Sequence, residues 1–175
     1  MQEFTTDIQS LREAARKNME EGAITEAYGA DRDRVVEVLN TVLATELVCV
    51  LRYKRHYFMA SGLKALPVAA EFLEHANQEQ DHADRVAVRI VQLQGKPDLN
   101  PDTLSTRSHA EYAEGTDLID MVKEDLLTER IAIASYQDIT RWLGDSDPTS
   151  RRLIESLLEV EEEHAEDLAS LLTDM

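Results

Sequence analysis

The sequence holds one cysteine, Cys49, in 175 residues. A lone thiol excludes an intramolecular disulfide and a cysteine-rich zinc site, and it fits a reducing compartment. Glycine and proline are scarce as well, at six and four, too few for the many tight turns of an all-β domain. Basic residues number 18 against 35 acidic ones, leaving a formal charge of −17. A nucleic-acid partner is therefore not expected, since binding one needs cationic side chains to displace phosphate counterions. Long apolar runs are also missing. Leu47–Leu51 is typical of the longest, far short of the roughly 20 residues of a membrane span. The first ten residues, MQEFTTDIQS, lack the basic head and apolar middle of a secretion signal. What the chain does have is 43% apolar residues beside 30% charged ones, enough apolar surface to build a core. The expectation is one soluble, cytoplasmic, helical domain with no membrane partner.

Apolar residues recur at three- and four-residue spacing in four long segments, the mark of amphipathic helices. The first covers about 34–60, behind the cap candidates Asp31 and Asp33. The second covers about 66–93, with Pro67 in its first turn and Gly95 as its stop. The third covers about 117–143, with Thr116 as N-cap and Gly144 just past its end. The fourth opens on Asp147 and Pro148, an N-cap and a first helical residue in order, and runs to about 172. Short joints make antiparallel hairpins of the first pair and of the second pair. Between the hairpins lie 22 residues, Gly95–Thr116. Extended, they reach ~70 Å, against ~40 Å for a helix of about 27 residues. The expected fold is all-α: an antiparallel four-helix bundle over residues 31–175 with one long crossover between its second and third helices. A shorter amphipathic segment, Asp7–Glu20 with Ile8, Leu11, Ala15 and Met19, predicts an extra helix within an N-terminal extension, 1–30. It would pack outside the bundle or against a neighbouring subunit.

Acidic residues interrupt the apolar stripes. Glu46 falls where the first helix should carry a core residue, and Glu129 does so on the third. The second stripe passes through Glu79 and His82, the fourth through Glu161 and His164. Each position is near the middle of its helix, so antiparallel packing brings all of them to one level. Four carboxylates in an apolar core cannot all stay ionised without a cation. Two divalent ions would balance four carboxylates and two neutral imidazoles, and Glu-x-x-His sets both ligands on one helix face. Oxygen-rich, nitrogen-poor ligation suits iron or manganese equally, over zinc or copper. A duplication underlies the pattern. Glu46 and Glu129 are 83 positions apart, Glu79 and Glu161 are 82 apart, and Tyr53 and Tyr136 repeat at 83. The two tyrosines are candidates for core packing or for hydrogen-bond or redox partners of the site. Cys49 reads as a small buried hydrophobe, and His75 either as a residue beside the site or on an ion path, or equally as a solvated or capping one. His56 and His109 have no role from position.

The segments ELVCVLRY (46–53), EQDHADR (79–85), LLTER (126–130) and EEEH (161–164) resemble those of the bacterioferritins, in the ferritin-like superfamily. The resemblance covers roughly residues 34–172. It implies a ferritin-like bundle whose ligands to two irons within one subunit are Glu46, Glu79, His82, Glu129, Glu161 and His164, with Tyr53 near the site. Which carboxylates bridge stays open. It also implies ferroxidase activity, in which Fe²⁺ is oxidised by O₂ or H₂O₂ and stored as mineral in a closed shell. Gln80 stands where the haem-ligating methionine of that family follows the glutamate, so haem is not expected. The chain stops soon after the fourth helix, has an N-terminal extension and has a long crossover. Those features look more like Dps-like ferritins, whose shells have 12 rather than 24 subunits. DNA-protecting Dps proteins carry basic tails, whereas residues 1–17 hold three basic and three acidic side chains. The alternatives are a rubrerythrin-type di-iron or di-manganese peroxidase and a metal-free structural bundle.

Overall fold

The computed structural model describes residues 5–62 and 65–174. The outer ends of the two expected units, 1–4 and 175, lie outside the described residues. All regular structure among the described residues is helical. Helix α1 is Ile8–Lys17, α2 is Arg32–Met59, α3 is Leu66–Gln92, α4 is the short Leu104–Arg107, α5 is Leu118–Leu143 and α6 is Pro148–Asp174. The four long helices pair as α2 with α3 and α5 with α6, and the hairpins meet through α2–α5 and α3–α6 contacts. This is the expected four-helix bundle.

Local sequence chemistry sets the helix ends. Asp31 Oδ1 accepts the Arg34 N–H, and Asp147 Oδ1 accepts that of Ser150 at 2.8 Å, satisfying donors that the first helical turn leaves open. Two expected caps shift. The N-cap of α5 is Asp117, which accepts the Asp120 N–H at 2.9 Å. Thr116 instead gives its N–H and hydroxyl to Asp120, so the first turn of α5 is tied back to the residue before its cap. After α3 the left-handed residue is Gln94, with φ 61°. Its side chain is held at both ends, by Arg32 and by the Glu21 carbonyl. Gly95 serves a different need. A Cβ there would lie 2.6–2.7 Å from the Val36 side chain, so the glycine lets the chain leave α3 hard against the start of α2.

From that point the crossover runs beside α2 in the same direction. Asn40 Oδ1 accepts the Asp98 N–H at 2.7 Å, and Thr45 Oγ1 accepts the His109 N–H at 3.0 Å. Further on, Arg52 donates to the Glu111 carbonyl at 2.6 Å, and His56 Nε2 lies 3.1 Å from the Ala113 carbonyl. The link thus travels most of the length of α2, which turns α5 antiparallel to α2. His56, given no role by its position, is fully buried between Ala113 and Asp125, and Asp125 also pairs with Arg52 at 3.0 Å.

Two apolar clusters fill the bundle. One gathers Leu39, Leu43, Ile90, Leu93, Ile154 and Leu157, the other Val48, Phe72, Val122 and Leu168. The polar level lies between them. Helix α1 forms where expected, capped by Asp7, but buries none of its residues; Ile8 and Leu11 are about half exposed. No helix among the described residues is long and apolar enough to cross a membrane.

Candidate metal centre

Glu46 on α2, Glu79 and His82 on α3, Glu129 on α5, and Glu161 and His164 on α6 are each at most 2% exposed. The structure brings all six together. They form two overlapping groups, Glu46–Glu79–His82–Glu161 and Glu79–Glu129–Glu161–His164, each with one donor atom per residue within 4.8 Å of the others. Glu79 and Glu161 belong to both. His82 Nδ1 lies 3.1 Å from Glu161 Oε1, 3.4 Å from Glu46 Oε2 and 3.7 Å from Glu79 Oε2. His164 Nδ1 lies 3.2 Å from Glu161 Oε2, 3.3 Å from Glu79 Oε1 and 3.8 Å from Glu129 Oε1. Each shared carboxylate therefore turns one oxygen toward each imidazole, as the repeat spacing requires.

The tyrosines cross between the hairpins. The Tyr53 hydroxyl of α2 donates to Glu129 Oε1 of α5, and the Tyr136 hydroxyl of α5 donates to Glu46 Oε1 of α2. Burial first, and then the nearby carboxylates, push both phenols well above their usual range, so they remain donors. Each bond fixes one oxygen of its glutamate and leaves the other facing inward.

What remains facing inward has no partner. Glu46 Oε2, both oxygens of Glu79 and of Glu161, Glu129 Oε2, His82 Nδ1 and His164 Nδ1 are buried without hydrogen bonds. Such atoms ordinarily find partners in a folded protein. Eight of them converging on one point form a donor set that cations would satisfy. The protonation pattern agrees. Burial, then the charge of Glu161, pushes the Glu79 and Glu129 carboxyls well above the ordinary value. Burial alone would raise Glu161, but the imidazoles of His164 and His82 beside it outweigh that and hold the carboxyl at about 2. Burial alone would lower His82, but Glu161 and Glu46 raise it to about 10. Without metal the site balances its charge with protons, which divalent ions would displace.

Two neighbours complete the surroundings. Gln78, which sequence reasoning missed, accepts from His164 Nε2 at 2.8 Å. That bond leaves Nδ1 as the lone pair turned toward the carboxylates. Gln78 sits off the apolar stripe, so only the packing of α3 on α6 reveals it. His75 stacks on His164 with ring centroids 3.9 Å apart, and burial, then His164, lowers it to about 3. Cys49 is buried, its thiol pushed up by burial and by Glu129 and Glu46. It belongs to none of the donor groups found among the described residues. Gln80 is exposed and bonds to Asp84.

A four-helix bundle with a long crossover and a buried carboxylate–histidine centre defines the ferritin-like class. The family model for the ferritin-like domain matches residues 36–175, and the chain belongs to that family. Among its relatives is a bacterioferritin from Brucella melitensis, 32% identical over 142 residues, which are 79% of this chain and 83% of that protein. Among solved structures it is similar to a dodecameric thioferritin, the bacterioferritin-related protein of Bacteroides fragilis. The TM-score is 0.80 at 30% identity, covering 83% of this chain and 88% of that one. The bacterioferritin of Rhodobacter capsulatus, solved with haem iron and a metal-free dinuclear site, gives a TM-score of 0.71 at 25% identity, covering 82% and 86%. Membership in this family points to iron storage and ferroxidase activity in general.

Proposed function

We propose that the chain is a ferroxidase that oxidises Fe²⁺ with O₂ or H₂O₂ at an intrasubunit di-iron centre and stores iron in a closed shell. The eight convergent buried donor atoms without hydrogen-bond partners carry this reading. The ligands would be Glu46, Glu79, His82, Glu129, Glu161 and His164. Glu79 and Glu161, shared by both groups, would bridge. Glu46 with His82, and Glu129 with His164, would each complete one position. Two irons fit, with manganese the alternative. Haem is not part of the proposal, because Gln80 takes the ligand's place.

When bound, the irons supply the electrons that reduce the oxidant. The chain's own residues set the frame for that exchange. Tyr53 and Tyr136 hold Glu129 and Glu46 by one oxygen each, leaving the other free to bind. Gln78 orients His164 from behind. The apolar clusters above and below keep bulk water away, which strengthens every electrostatic contact inside.

The unit that assembles would be 31–175, with 1–30 as an N-terminal extension. Exposed apolar side chains such as Phe58, Leu66, Trp142 and Met19 support self-association. The likeness to a dodecameric thioferritin supports 12 subunits over 24. The charge of −17 favours cations at the surface and in the cavity, and a cytoplasmic setting suits the single buried thiol.

The test is anaerobic loading with Fe²⁺ followed by O₂ or H₂O₂, read by ultraviolet absorbance and particle size. Fast oxidation, mineral-filled particles and loss of both in Glu129→Ala are expected. A monomer that consumes peroxide without mineral would favour the rubrerythrin-type reading. Absence of bound metal and of fast oxidation would leave the structural bundle.

A further inference from the structure

A second group of donor atoms lies beyond the centre, on the face where α3 meets α6. Glu71, His75 and Asp167 each present one donor atom, all within 4.8 Å of one another. Glu71 and His75 are one helical turn apart on α3, and Asp167 is three residues past His164 on α6, so both helices aim these side chains at one spot. His75 is buried, Glu71 is half-buried and Asp167 is exposed. The spot therefore opens to solvent on one side and touches the centre on the other.

The hydrogen bonds of His75 decide what that spot is for. The Tyr53 hydroxyl spends its one proton on Glu129, so it can only accept from His75 Nδ1, 3.3 Å away. That assigns the ring proton to Nδ1 and leaves Nε2 as a bare lone pair. Nε2 points at Glu71 Oε1, 3.7 Å away, and at Asp167 Oδ2, 3.9 Å away. Both distances are too long for hydrogen bonds. A lone pair on a buried ring, facing two carboxylates with no hydrogen bond to either, is an arrangement that a cation between them would relieve.

We propose that Glu71, His75 and Asp167 bind one divalent first-row transition-metal cation outside the six-residue centre and pass it inward past His164. Two carboxylates and one imidazole cancel the charge of one such ion and suit Fe²⁺, Mn²⁺ or Co²⁺. The binding site stands on its own geometry, while its role in loading the centre rests on the di-iron reading above.

The test is anaerobic titration of the intact protein with Co²⁺ alone, followed by visible absorbance and calorimetry. Three ions per chain are expected in the wild type, two in Glu71→Gln/Asp167→Asn, and one in Glu79→Gln/Glu161→Gln. Asp167 is exposed and Glu71 only half-buried, so the first double variant keeps the fold, which its melting curve checks. Saturation at two ions in the wild type, with a superimposable titration for Glu71→Gln/Asp167→Asn, overturns the third site and leaves the centre standing. One ion in the wild type, lost in Glu71→Gln/Asp167→Asn, would instead sink the di-metal centre and keep this one. For the loading role, aerobic oxidation by Glu71→Gln/Asp167→Asn should need a higher Fe²⁺ concentration for half-maximal rate. An unchanged half-saturation point refutes that role.

Discussion

Glu79→Met should make the metal-free protein more stable and the metal-loaded protein less so. Both oxygens of Glu79 are buried without hydrogen bonds, and burial pushes its carboxyl well above the ordinary range. Leaving a buried polar group unsatisfied costs about 1–3 kcal/mol. Methionine matches glutamate in length and helix preference and carries no such group, so the substitution should recover about that amount in the apo state. In a domain of this size the gain corresponds to a rise in Tm of roughly 2–12 °C. The loaded state moves the other way. An ion present at about a hundred times its Kd adds about 2.7 kcal/mol to wild-type stability, and removing a carboxylate common to both donor groups should abolish most of that increment. The assay is thermal unfolding by circular dichroism, with and without anaerobic Co²⁺, on chelated protein. A metal-free Glu79→Met that melts below the wild type, or a wild type whose Tm ignores the metal, would refute the reasoning.

Three further outcomes follow from the same structure. Tyr53→Phe and Tyr136→Phe should each lose one buried hydrogen bond to a glutamate, lowering stability by about 1 kcal/mol. Stopped-flow absorbance should show slowed Fe²⁺ oxidation, and an unchanged rate in both would end their positioning role. Asp125→Ala leaves the buried Arg52 guanidinium without its closest counter-charge and should cost about 3–5 kcal/mol in denaturant titrations. Asp147 is held below the ordinary aspartate value of 3.8: burial opposes this, but bonds from Ser150 and Tyr28 outweigh it. Because its folded value is the lower one, its contribution is fully present above 3.8 and is lost as pH falls through the folded value. Acid unfolding of Asp147→Asn should accordingly lack that slope, and an identical acid profile would count against it.

The long helices were legible because each repeats its apolar residues at helical spacing and carries a recognisable start. The burial of six polar residues at one level was legible for the opposite reason: they are polar where that spacing demands a core residue. Features that depend on two distant segments were not readable. Arg52, His56 and Asp125 each look like surface residues on their own helix, and only the path of the crossover along α2 shows them to be buried together. Gln78 lies off the stripe and gains its role from a histidine 86 positions away. The glycine after α3 was read as the helix stop, but the left-handed residue is Gln94 and Gly95 is needed for its close approach to Val36. The amphipathic α1 was found, but none of its residues is buried against the other described residues.

The near-duplication of the two hairpins has one more consequence. Shifted by the repeat, His82 falls on His164, but His75 and Gln78 fall on Leu157 and Val160. The frame is copied while its outworks are not. On one side the centre is backed by an amide and an imidazole that lead outward, and on the other by aliphatic side chains, with Leu157 sealed in the core. The two metal positions proposed above, built from equal ligands, would therefore sit in unequal surroundings. They should fill in order and empty in order, giving the centre a direction that its internal symmetry would otherwise forbid.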